Sequence, residues 1–85
     1  MKYECGTLVR SKAGHDKDEL YVVLEERGDL LVLANGSNRT IEHPKQKKKK
    51  HVQIIHKKLE EAEWSNEAIL HFILAAEPCG QQQNE

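Results

Sequence analysis

Apolar and polar positions divide the chain into five short extended runs and one helical run. In the first run, residues 5–11, Leu8 and Val9 are apolar, Arg10 and Lys12 are polar, and the pattern breaks at Ala13-Gly14. It resumes as Leu20-Tyr21-Val22-Val23-Leu24, rich in β-formers, which predicts a second strand over 20–26. A glycine between two such runs serves a backbone conformation that other residues resist, so Gly14 marks a tight loop presenting His15, Asp16 and Lys17 to solvent. After the turn Arg27-Gly28-Asp29, the wholly apolar run 30–34 predicts a third strand buried on both faces. Asn35-Gly36 is a hairpin signal, because both residues tolerate positive φ. Arg39-Thr40-Ile41-Glu42 predicts a fourth strand, ended at His43-Pro44 because proline cannot donate to a ladder. Lys45 to Lys50 then reads as a basic loop, and 51–55 as a fifth strand with Val52 and Ile54 facing inward.

From Leu59 the spacing turns helical. Ser65 is placed to cap the helix, with Trp64 before it and Ile69 after it as a hydrophobic staple. Glu67 in the first turn suits the helix dipole. Ile69, Phe72, Ile73 and Ala76 form one face, widened by Leu70 and Leu74, and Pro78 and Gly80 end the element. That face needs cover, from the strands or from a partner, which makes Trp64, Ile69, Phe72 and Ile73 candidate docking residues. The expectation is a mainly β protein: a closed or half-closed five-stranded antiparallel barrel over 1–58, a helical extension over 59–80 and a polar tail over 81–85.

Net charge changes this picture only when it is divided. The total is −1, yet residues 1–58 hold all 13 Lys and Arg against 8 acidic residues, and residues 59–85 hold 6 Glu and no Lys or Arg. A basic module followed by an acidic segment is the pattern of a polyanion-binding surface with an appendage. The start of the chain lacks the apolar core of a signal peptide, and no apolar run reaches transmembrane length, so a cytoplasmic protein with reduced Cys5 and Cys79 is expected.

Lys45, Lys47, Lys48, Lys49 and Lys50 concentrate five cations in six residues. Such a cluster repels itself, and phosphates relieve the repulsion while releasing their counterions. Lysines are point charges, so backbone contact is expected rather than sequence reading. Arg10, Lys12, His15, Lys17 and Arg39 could extend the surface, and His51 flanks the run. The plain alternative for each is an ordinary exposed side chain. His15-Asp16 with Asp18-Glu19 lacks the spacing and glycine of a calcium loop, and no Cys/His spacing matches a zinc site. Nothing assembles a catalytic set, so neither an enzyme nor a cofactor is expected. Aromatic residues are few, which favours recognition of RNA shape and phosphate over base stacking.

The segment V-R-S-K-A-G-H-D-K-D-E-L-Y-V-V-L resembles a KOW motif, a strand–loop–strand unit with glycine at its turn. The later N-R-T-I-E-H-P-K-Q-K-K-K-K-H-V resembles the P-K-x-K-x-x-K-H stretch of bacterial KOW-domain RNA-binding proteins related to the archaeal and eukaryotic large-subunit ribosomal protein fourteen-e. The likeness covers about residues 5–56. It implies an SH3-like barrel that binds RNA, ribosomal RNA above all; the ribosome is the expected setting, and a monomer or weak homo-oligomer the expected state. It also implies Gly14 as the turn glycine, Ser11, Lys12 and Asp16 as loop positions, and Arg39, Pro44, Lys45, Lys47, Lys50 and His51 as the basic signature. His15 stands where relatives carry arginine or lysine, and Asp18 where they often carry glycine. The acidic helix lies beyond the likeness; docking through it onto a ribosomal or transcription protein is the competing expectation.

Overall fold

The extended runs form β1 (Thr7–Ser11), β2 (Leu20–Arg27), β3 (Leu30–Ala34), β4 (Lys45–Lys48) and β5 (Val52–Lys58), and the helical run forms α1 (Asn66–Ala76). A single 3-10 turn, Lys49–His51, joins β4 to β5. The computed structural model describes residues 3–59 and 64–76. The strands make one antiparallel sheet in the order β4-β3-β2-β1-β5.

That order forces the sheet to curl. Flat, its two edge strands would lie roughly 19 Å apart at the usual spacing between neighbours. Yet three residues in a 3-10 turn connect β4 to β5, and such a turn rises only about 2 Å per residue. Two register shifts supply the bend, one with an extra residue in β2 between Val23 and Glu25, and one with extra residues in β5 between Ile55 and Lys58, which face Leu8 and Thr7 of β1. An extra residue on one strand bends and twists it. The result is a half-closed barrel of SH3-like form with one C-terminal helix.

Alternation along β1, β2 and β3 puts apolar side chains on both faces. On one face Val9, Tyr21, Val23, Leu31, Leu33 and Val52 pack together. On the other, Leu8, Leu20, Val22 and Ala34 pack under Ile69 and Ile73 of α1, with Leu59 beside them. The expectation of a third strand buried on both faces holds, since Leu31 to Ala34 are all buried.

The helix begins as its sequence indicates. Ser65 Oγ accepts the Ala68 N–H at 3.1 Å, and Trp64 packs on the same cluster as Ile69. Its apolar face is covered by the sheet. Ile69 and Ile73 are buried, and Phe72 and Trp64 are half-buried against the same core. The four side chains singled out for partner docking are therefore used within the chain, and of the large apolar side chains described only Leu74 is exposed.

The fourth strand lies elsewhere than expected. Residues 39–42 form bends, and β4 is the basic run itself. The reason is the helix. Asn66 Oδ1 accepts the Ile41 N–H at 2.7 Å and Asn66 Nδ2 donates to Glu42 at 2.9 Å, so the Asn66 side chain holds this segment against the start of α1 and it does not enter a ladder. Asn35-Gly36 does turn the chain, with Asn35 Oδ1 accepting the Ser37 and Arg39 N–H groups. The hairpin it opens closes only at Lys45, opposite Leu33. Cys5 is exposed and free, its thiol donating to the Leu24 carbonyl. The helix stop at Pro78 and Gly80, Cys79 and the 81–85 tail lie outside the described residues, as does most of the acidic stretch after Leu59.

Gly36 has φ +78, and a Cβ there would stand 2.2 Å from the Asn66 carbonyl oxygen. Gly28 also has positive φ, +56, but a Cβ there would meet nothing within 4 Å. Gly28→Ala is expected to cost about 1 kcal/mol, the strain of the backbone alone. Gly36→Ala is expected to cost about 3 kcal/mol, strain plus the forced retreat of the helix. Urea unfolding midpoints of the two variants measure the difference, and equal losses would show that the helix does not seat against Gly36.

Candidate nucleic-acid interface

The loop between β1 and β2 runs alongside the basic segment. At one end the Lys12 N–H donates to the His51 carbonyl at 2.8 Å. At the other, Asp16 reaches β4. Gly14, with φ +89, lets the loop turn close enough that a Cβ there would lie 3.6 Å from Lys47 Nζ.

Asp16 turns inward, contrary to the expectation that the loop offers it to solvent. Its Oδ1 accepts Ser11 Oγ at 2.9 Å and Lys47 Nζ at 3.2 Å, and its Oδ2 accepts the Tyr21 hydroxyl at 2.9 Å. Lys45 Nζ stands 3.7 Å from Oδ2. The physical cause is Tyr21, whose ring is buried in the core and whose hydroxyl needs a partner. Partial burial alone would raise the Asp16 pKa, but the hydrogen bonds from Tyr21, Ser11 and Lys47 outweigh it and hold the carboxyl at about 2. Burial and the neighbouring carboxylate push the Tyr21 phenol well above its usual range, so it stays a donor.

Because the basic run is a strand and not a loop, its five lysines divide. Lys45 and Lys47 lie opposite Leu33 and Leu31, and their ammonium groups turn to Asp16. Their stems cover the apolar face, as long charged side chains do at edges. Lys49 pairs with Glu26 and lies 5.5 Å over the Tyr3 ring. Lys48 and Lys50 are exposed, and neither has an ion pair among the described residues. The same is true of Lys12 and Lys17 in the adjoining loop, and His15 there is exposed too. His51 is half-buried in the 3-10 turn.

Arg39 joins this surface from the β3–β4 connection. It lines an open depression of about 450 Å³ with His15, Asn38, Lys45 and Lys47, and with Asp16, Glu19 and Tyr21. Arg10 does not join it. It pairs across the sheet with Leu20 and Gln53, on the helix-covered face, and its Nε is buried with no hydrogen-bond partner among the described residues. Sequence reasoning missed Ser11 and Tyr21 as the pair that holds Asp16. Alternation places both on the Val9 face, and a buried tyrosine hydroxyl is itself a sign that an acceptor lies nearby.

Fold and site together define an SH3-like half-barrel carrying a cationic band along its β4 edge. No protein-family model matches the sequence, and no curated protein matches it either. Among the described residues no helix is long and apolar enough to cross a membrane.

Asp16 has its pKa lowered from 3.8 to about 2, so its contribution is complete above about pH 4 and is lost as pH falls through about 2. The loss is expected to be about 2 kcal/mol. Denaturant unfolding at stepped pH measures it. Asp16→Asn is expected to be less stable at pH 7 and to lack this component of the acid transition; an unchanged acid profile would show that the carboxylate is not the hub.

Proposed function

We propose that this chain is a non-catalytic RNA-binding protein of the cytoplasm. It meets ribosomal RNA, or the ribosome, through the band formed by Lys45–His51 and the β1–β2 loop. The observation that carries this reading is the alignment of those two segments. Lys12 and His51, and Asp16 and Lys47, tie the loop to the basic segment; the loop carries Lys12 and Lys17 and the segment Lys48 and Lys50, four exposed residues with no ion pair among the described residues. Positioned cations bind a phosphate backbone by displacing its counterions. Arg39, Lys45 and Lys47 add charge beside them, reduced by Asp16.

The KOW likeness supports the same reading. Gly14 has the positive φ that a turn glycine supplies, and Asp18, at the position where relatives often carry glycine, has φ +76. The SH3-like form agrees with it as well, although that fold serves many functions.

If about four phosphates are neutralised, affinity for ribosomal RNA should fall about one decade per doubling of salt. Lys12→Gln, Lys48→Gln and Lys50→Gln together leave every ion pair among the described residues intact. This triple variant is expected to bind more weakly and to flatten the plot of log affinity against log salt by about three. Filter binding or fluorescence anisotropy across a salt series measures both. A triple variant that matches the wild type in affinity and slope would overturn the proposal.

A further inference from the structure

We infer that the depression lined by Arg39 is a pocket for one guanine nucleotide of the bound RNA, with the phosphate on Arg39 and the base edge on Glu19. This rests on the RNA-binding reading and adds a mode of recognition that the lysines alone cannot provide. The depression measures about 450 Å³, within the range of small-ligand sites. Its lining is divided by charge, and that division selects the ligand.

Part of the lining is cationic, with Arg39, Lys45 and Lys47. The Arg39 backbone is fixed on three hydrogen bonds: its N–H donates to Asn35 Oδ1, and its carbonyl accepts the N–H groups of Asn35 and Gly36. Its guanidinium therefore springs from a rigid base, and it has no ion pair among the described residues. A planar fork of donors held in this way suits a phosphate. Lys45 stands at 3.7 Å from Asp16, a looser pairing than that of Lys47 at 3.2 Å, and its ammonium can turn to the same phosphate.

The lining also holds two carboxylates, Asp16 and Glu19. Both oxygens of Asp16 are taken by Ser11, Tyr21 and Lys47, so Asp16 positions the lysines and offers nothing to a ligand. Glu19 is different. It is exposed, and the one hydrogen bond its carboxylate makes among the described residues is a long one of 3.4 Å from the Tyr21 hydroxyl. A carboxylate so lightly engaged repels a second phosphate and can accept from a base edge with adjacent N–H donors. Guanine presents N1–H and N2–H₂ side by side; adenine presents an acceptor beside its amino group. Asn38 Oδ1 is held by Asn35 Nδ2 at 2.9 Å, which turns the Asn38 amide N–H₂ outward as a further donor. His15, exposed beside the opening, offers a flat ring for stacking.

The test is an amide-resolved NMR titration of the full chain with GMP, AMP and inorganic phosphate, beside RNA binding by the same proteins. GMP is expected to shift His15, Glu19, Asn38 and Arg39 and to bind about tenfold more tightly than AMP or phosphate. Arg39→Gln should lower GMP affinity about tenfold, and Glu19→Gln should erase the preference over AMP. The Lys12, Lys48 and Lys50 triple variant should bind GMP as the wild type does. Equal binding of phosphate and GMP, equal binding of AMP and GMP, or GMP shifts confined to residues 48–50 would each overturn the pocket. RNA binding by the wild type alongside any of these results would leave the RNA reading standing. Localised GMP binding in a chain with no affinity for RNA would overturn the RNA reading instead.

Discussion

Three residues, Lys49–His51, connect the two edges of a five-stranded sheet. This short link is the constraint from which the rest of the molecule follows. It cannot be met by a flat sheet, so β2 and β5 carry extra residues that shift the register and the sheet curls. Curling encloses one apolar cluster around Val9, Tyr21 and Leu33, and leaves the other face for α1 to cover. It also lays the β1–β2 loop along the basic strand, which is how two segments distant in sequence come to share a surface.

Asp16 then decides which cations remain available. A carboxylate bound by two hydroxyls and an ammonium group fixes the loop to β4, and in doing so it withdraws Lys47 and partly Lys45 from solvent. Glu26 does the same for Lys49. A run that reads as one block of charge is thus two populations. One set guards and covers a strand edge, where unpaired backbone would otherwise invite another chain. The other set faces water.

Much of the β scaffold was legible because period-two burial is strongly specified. The limits 30–34 of β3 and the start of β2 at Leu20 follow directly from runs that must be buried on both faces. The N-terminus of α1 was legible for a similar reason, since a cap and a staple are local chemistry. The fourth strand was not. Arg39 to Glu42 has a strand-like composition, but Asn66 of the helix, 25 residues from Ile41, takes its hydrogen bond. Lysine has little preference for strands, and only the exposed edge of β3, waiting for a partner, draws Lys45–Lys48 into the ladder.

The sequence by itself determined the class of fold, the turn at Gly14, the cap at Ser65 and the concentration of cations before residue 59, because local spacing and backbone preference act without reference to the rest of the chain. Tertiary structure alone decided the direction of each charged side chain. Lys45, Lys47 and Lys49 turn inward, Arg10 falls beneath the helix side of the sheet, and Arg39 stands over the cleft. The reason is that a charge is placed by its partner, and in this protein Asp16 and Glu26, the two acidic partners that hold these lysines, lie more than twenty residues away.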